Sequence, residues 1–178
     1  MEISKAYRYC PICGTQRTQI KPSRPFLCTE CGHTSFFGPV TAVGAVVANE
    51  QNEVLLIERA REPGKGKLGM PGGFVDPFES AEAAARRELQ EELEIEVAEL
   101  HYLMTAFNSY SYHGIVYPVL DIFFHTEPLS DQTIRGDSSE VATWIWTKLT
   151  ENVLDRMAFD SNRKALEYYQ HREECDLE

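Results

Sequence analysis

Two cysteine pairs near the start of the chain, Cys10-Pro-Ile-Cys13 and Cys28-Thr-Glu-Cys31, restrict how its first 39 residues can fold. A segment that short buries too little apolar surface to hold itself together without a staple. C-x2-C, fourteen intervening residues and a second C-x2-C can present four thiolates tetrahedrally to one Zn²⁺. Gly14 and Gly32 directly follow the second cysteine of each pair, where a knuckle turn needs a permissive backbone. The alternatives are a pair of disulfides, which rarely persist in a reducing compartment, and unrelated free thiols, which random placement would seldom arrange as two such pairs. A zinc ribbon over residues 1–39 is therefore expected, with Cys10, Cys13, Cys28 and Cys31 as ligands. His33 then reads as a solvated loop histidine, and Cys175, in the acidic tail, as a bystander.

Charge divides the chain at the same place. The net charge is −11, yet residues 1–39 hold five basic and two acidic residues, a balance of +3. The remaining 139 residues carry −14. A Zn²⁺ ion held by four thiolates has a formal charge of −2, which nearly cancels the ribbon's excess. Nucleic-acid affinity comes mainly from Lys and Arg neutralising phosphates, so broad wrapping of nucleic acid is not expected. The apolar run Val40–Ala48 has nine residues, too few to span a bilayer. The N-terminus MEISKAYRYC has no apolar stretch followed by a small-residue cleavage site. A soluble, cytoplasmic protein without a membrane partner is the expectation.

Residues 40–178 read as a second domain. Val40–Ala48 and Val54–Arg59 are rich in Val, Leu and Ile and flank a polar loop, the pattern of a hairpin. Gly64–Gly73 holds five glycines and Pro71 and reads as a loop. Ala81–Leu93 is nearly all Ala, Leu, Glu and Arg, giving the clearest helix. Ile95–Thr105, Ile115–Thr126 and Val141–Trp146 read as strands, and Thr147–Leu154 and Ala158–Tyr169 as helices. Strands on both sides of a central helix, with a helix at the end, indicate an α/β fold in which helices sandwich a mixed sheet.

The chemistry lies in residues 72–95, GGFVDPFESAEAAARRELQEELEI. Helix positions three and four apart share a face, so Glu88 lies beside Glu91 and Glu92. Arg87 reaches Glu91, and Glu79 sits near the helix start. Like charges this close need a compensating cation, and Mg²⁺ or Mn²⁺ takes carboxylate oxygens readily. Such a cluster suits phosphoryl or pyrophosphoryl chemistry, in which metals neutralise phosphate oxygens and activate water. A solvated acidic helix face is the plainer reading of RELQEE alone.

The surroundings decide between them. Gly73, five residues, Glu79, seven residues and Arg87-Glu88-Leu89-Gln90-Glu91-Glu92-Leu93-Glu94-Ile95 resemble the Nudix hydrolase signature. Chance would produce these matches on the order of 10⁻⁸ per starting point. Glu94 stands where that signature has Gly, at a position expected to be a left-handed helix end. The resemblance implies a Nudix-type α/β/α sandwich over residues 40 to about 170. It also implies that Glu88, Glu91 and Glu92 hold catalytic metals, that Arg87 orients them and that Glu79 supports it. Glu140, before the strand Val-Ala-Thr-Trp-Ile-Trp146, resembles a further family metal ligand, the alternative being an exposed loop acid.

A ribbon followed by such a domain is similar in layout to NADH pyrophosphatases. Their Ser-Gln-Pro-Trp-Pro-Phe-Pro element is missing, the corresponding stretch being Thr105–Tyr112. NADH, ADP-ribose, FAD or another nucleoside diphosphate derivative is therefore the expected small-molecule substrate, releasing AMP. Arg59, Arg61, Lys65 and Lys67 form a basic cluster that could draw in a polyanion, or serve only as a solvated loop. Phe107, Tyr110 and Tyr112 could stack on a base, or be ordinary strand aromatics. Two rival functions are a ligand-sensing Nudix-fold binding module and an RNA 5′-end decapping enzyme. The family's frequent dimers make a homodimer the assembly to test.

Overall fold

A computed structural model describes residues 1–17, 25–127 and 133–176, the last four as backbone only. Lys21, Arg24 and the Cys175 side chain lie outside the described part. The elements are α1 (Ile3–Ala6), β1 (Phe26–Leu27), β2 (Thr34–Ser35), β3 (Val40–Val47), β4 (Val54–Arg59), β5 (Leu68–Gly69), α2 (Ala81–Leu93), β6 (His101–Tyr112), β7 (Ile115–Thr126), β8 (Val141–Thr147), α3 (Glu151–Leu154) and α4 (Asp160–Asp176). They form two compact units, Met1–Val40 with Ser109–Val119, and Thr41–Asn108 with Leu120–Glu178.

The first unit has a core of Cys10, Phe26 and Cys28, with Phe37 packed against it. Tyr7 meets the Phe37 ring edge-on at 4.9 Å, and the Arg17 guanidinium lies 5.4 Å from the Phe26 centroid. The antiparallel pair β1–β2 brackets the second cysteine pair, with the register Phe26↔Ser35 and Leu27↔Thr34. Gly14 and Gly32 adopt positive φ, 74° and 73°, as the knuckle turns require. So small a core cannot hold 40 residues by burial alone.

In the second unit β3, β7 and β6 form one three-stranded sheet and β5, β4 and β8 another. The Ala48 N–H, just past β3, donates to the Thr126 carbonyl at the end of β7, so these neighbours run the same way. β7 follows β6 through the tight turn at His113–Gly114 and runs back along it, which makes the sheet mixed. Both faces of β3 and β4 are covered, and this explains their unbroken apolar runs. Val46, Val54 and Leu56 pack with Leu166 of α4, whereas Val47, Leu55 and Ile57 pack with Leu89 and Leu93 of α2. The helices thus lie on opposite faces, giving the α/β/α arrangement.

Four local expectations need correction. β3 and β4 are not a hairpin, since they bridge only at Ala48↔Val54 and then enter different sheets. The loop Gly64–Gly73 contains a short strand, β5, held on β4 by Ile57↔Gly69 and Glu58↔Leu68. The strand expected from Ile95 starts at His101; Ile95 and Val97 are buried against Leu89 and Leu93, and Val97 makes only an isolated bridge. The helix expected at Thr147–Leu154 is only Glu151–Leu154, Thr147 being paired with Val54 in β8.

Candidate active site

Helix α2 begins cleanly because Ser80 accepts a bond from the Ala83 N–H, satisfying one of the helix's orphan donors. Its buried stripe is Ala84, Ala85, Leu89, Glu92 and Leu93. One member of that apolar stripe is a carboxylate. Glu92 is 5% exposed, and its Oε2 accepts the Gly72 N–H at 2.8 Å. Burial pushes the Glu92 acid up to about 8, with the Glu88 and Glu140 charges adding to the effect. Glu88 is also raised, first by its burial and then against the pull of Arg87.

The turn before the helix is shaped by close approach. A Cβ on Gly72 would strike the Val43 carbonyl, and one on Gly73 would strike the Glu88 carboxylate. Gly72 also sits at φ 144°, a conformation that side chains rarely adopt. Two adjacent glycines therefore let the chain pass between β3 and α2 with an N–H aimed at Glu92.

Arg87 ties the remaining acids together. Its Nε and Nη2 donate to the two oxygens of Glu79 at 3.0 Å each. Nη1 donates to Glu88 at 2.8 Å and to Glu91 at 3.0 Å, and Nη2 also reaches the Phe74 carbonyl. The Arg87 bonds hold Glu79 below the usual carboxylate range, and the acids raise Arg87 in return. A guanidinium fork can satisfy several carboxylates at once where an ammonium cannot.

Loop 133–140 closes the far end of α2. The Arg135 and Asp137 N–H groups donate to the Leu93 and Glu92 carbonyls, which a helix end otherwise leaves unpaired. Glu94 is left-handed at φ 53°, ψ 34°, as its place in the signature implied, and its carboxylate lies 3.7 Å from Arg135. The left-handed strain costs a non-glycine residue roughly 1–2 kcal/mol, while an exposed pair returns roughly 0–1 kcal/mol. Glu94→Gly is accordingly expected to stabilise the protein by about 1 kcal/mol, raising Tm by roughly 2–4 °C. Thermal unfolding followed by circular dichroism checks this. A fall of that size would mean that the Arg135 pair outweighs the strain.

The other expected residues are distributed as follows. Glu140 pairs with Arg61 at 2.6 Å and lies close enough to Glu88 and Glu92 to raise both. Arg59 donates to the Pro63 carbonyl at 2.8 Å, stacks over Phe159 at 5.0 Å, and its charge acts on Glu92. Phe107 is exposed in the unit that holds the acids. Tyr110 and Tyr112 belong to the other unit, where Tyr112 packs edge-on against His113 at 4.2 Å. The Gly72 hold on Glu92 and the caps from Arg135 and Asp137 were beyond sequence reading, although the Gly-Gly pair marks the first of them.

The four cysteines form a separate cluster in the first unit. Their Sγ atoms all lie within 4.8 Å of one another, with Cys10–Cys31 at 3.7 Å and Cys13–Cys28 at 3.6 Å. Bonded sulfurs would be about 2.05 Å apart. A tetrahedron with Zn–S bonds of about 2.3 Å has edges of about 3.8 Å, so the thiols fit one thiophilic ion. His33 bonds Ser35 at 2.9 Å. Among the described residues, the cysteines are the one group of three or more metal-ligating residues drawn this close. On α2, Glu88 and Glu91 share the Arg87 guanidinium, whereas Glu92 is held by the Gly72 N–H.

An α/β/α sandwich with a glycine turn, a carboxylate-bearing helix and an arginine bracing it defines a class of hydrolase domain. The NUDIX domain family model matches residues 38–169, and the chain belongs to the NUDIX family. The NAD-capped RNA hydrolase NudC of Pseudomonas putida strain W619 is 30% identical over 100 residues, 56% of this chain and 36% of that protein. The chain thus spans about a third of the length of these NudC relatives. The ADP-ribose pyrophosphatase of Methanocaldococcus jannaschii is 28% identical over 133 residues, 75% of each chain. Among solved structures, a NUDIX hydrolase from Nitrosomonas europaea aligns with a TM-score of 0.69 and 25% identity, covering 92% of this chain and 90% of that one. The NUDIX domain of Shewanella oneidensis NrtR, in a cocrystal with ADP ribose, aligns with a TM-score of 0.63 at 26% identity over 77% of this chain and 90% of its own. No helix among the described residues is long and apolar enough to cross a membrane.

Proposed function

We propose that this chain is a Mg²⁺- or Mn²⁺-dependent pyrophosphohydrolase that cleaves the P–O–P bridge of a nucleoside diphosphate derivative of the ADP-ribose or NADH class. The observation that carries the reading is Glu92, a carboxylate buried in the core stripe of α2, held by the Gly72 N–H and within reach of the Glu88 and Glu140 charges. Carboxylate oxygens are hard donors, suited to a small divalent cation. Glu88, Glu92 and Glu140 would hold that ion with Glu91 beside them, and it would neutralise phosphate oxygens and lower the pKa of the attacking water. Arg87 keeps Glu88 and Glu91 on one side of the helix, braced by Glu79. Gly72 fixes Glu92 through its N–H, and a carboxylate of the set takes the proton as water adds to one phosphorus. The bridge oxygen leaves with the second phosphate, so ADP-ribose yields AMP and ribose 5-phosphate.

The names of the relatives support this bond: an NAD cap and ADP-ribose both contain a P–O–P bridge. Hydrolysis of NAD-capped RNA ends is the second reading, favoured by likeness to NudC. The four thiols support Zn²⁺ in the ribbon over residues 1–39, with the hydrolase domain following from residue 40. In the first assay, protein with Mg²⁺ or Mn²⁺ meets NADH, ADP-ribose, FAD, a nucleoside triphosphate and NAD-capped RNA in parallel. AMP released from a diphosphate substrate is the expected result. Tight ADP-ribose binding without cleavage would replace the enzyme by a sensing module.

A further inference from the structure

Two arginines neutralise the acids of the site in different ways. Arg87 is 26% exposed and donates to three carboxylates, so its departure would break three ion pairs at once. Arg61 is 59% exposed and meets Glu140 at 2.6 Å. An ion pair that is open to water contributes little and exchanges easily. The backbone keeps the two residues together whatever their side chains do, because the Ala60 N–H donates to the Glu140 carbonyl at 2.8 Å. The Asp137 N–H caps the Glu92 carbonyl at 2.9 Å and the Glu140 N–H donates to the Asp137 carbonyl at 3.0 Å, so Arg61 stands beside the loop that closes the acid-bearing helix. Its guanidinium fits a phosphate as well as a carboxylate.

We infer that Arg61 is an exchangeable counter-ion, which occupies Glu140 in the resting protein and passes to a substrate phosphate when a divalent cation takes Glu140. This rests on the reading above, in which Glu140 joins Glu88 and Glu92 around the cation. The protein then carries an internal competitor that keeps the cation site weak until a polyanion arrives. Substrate and metal binding are coupled through one side chain.

The test is Mn²⁺ binding without substrate, read from the paramagnetic signal of free Mn²⁺, for the full chain and for Arg61→Gln, Glu140→Gln and the double variant. Arg61→Gln is expected to bind Mn²⁺ roughly tenfold more tightly, and to add nothing in the Glu140→Gln background. The KM for ADP-ribose is expected to rise by about tenfold in Arg61→Gln and to recover in part in Arg61→Lys. An unchanged Mn²⁺ affinity in Arg61→Gln overturns the inference and leaves the metal reading standing. Equal tightening in both backgrounds also overturns it, since a general field effect would act without Glu140. Failure of the unaltered protein to bind Mn²⁺ removes the metal reading and the inference with it. Melting temperatures of the variants verify that each is folded.

Discussion

Glu92→Gln is expected to lower hydrolysis by on the order of 10²–10⁴-fold while making the metal-free protein more stable above pH 8. The two effects share one cause. Glu92 sits in the apolar stripe of α2, where burial lifts its acid from 4.5 to about 8. Its folded pKa exceeds the unfolded one, so the folded state binds the proton more tightly. Stability from this group is full below about pH 4.5 and is lost as the pH rises toward about 8. The loss amounts to a few kcal/mol, an order-of-magnitude figure. Glutamine keeps the acceptor for the Gly72 N–H and carries no charge. Melting curves recorded without added Mg²⁺ or Mn²⁺ at pH 5 and pH 8.5 should therefore diverge for the parent chain and differ less for Glu92→Gln, in which Glu88 still titrates. Equal pH sensitivity in both proteins would show that Glu92 is not the costly group. Retained activity in the variant would remove Glu92 from the chemistry.

Loss of one ribbon cysteine should have the second large effect. The core of the first unit rests on Cys10, Phe26 and Cys28, two of which are thiols of the cluster. Structural zinc contributes roughly 10–16 kcal/mol of apparent folding free energy in small zinc domains, far more than this core supplies. Purified protein is expected to hold about one zinc per chain. Cys28→Ser should hold almost none and lose amide protection across residues 25–40, while the α2 and β4 amides stay protected. Zinc-free protein with all four thiols oxidised would sink the ribbon reading in favour of disulfides.

Much of the site was legible because its determinants are local. The spacing of Glu88, Glu91 and Glu92 places them on neighbouring turns of any helix, and Ala81–Leu93 is helical from end to end as its composition implies. Glu94 takes the left-handed conformation because the helix must end there, whatever residue is present. The cysteine spacing encodes a knuckle geometry, and the sulfurs converge accordingly. The strand errors arose from ambiguity of another kind. Val40–Ala48 and Val54–Arg59 look like partners in sequence, but apolar residues on both faces of each strand allow different sheets to claim them.

The sequence by itself determined which acids share one stretch of helix and which thiols converge, since helical periodicity and cysteine spacing act over a few residues and need no distant contact. It could not rank the acids. Burial alone separates Glu92 from Glu91, which is 60% exposed on the same helix, and burial depends on where β3 and the glycine turn pack against α2. Nor could it pair Arg61 with Glu140, 79 positions apart, because β4 and β8 bring them together only once their ladder has formed. Charge pairing and desolvation are properties of packed neighbours, so only the tertiary structure decided them.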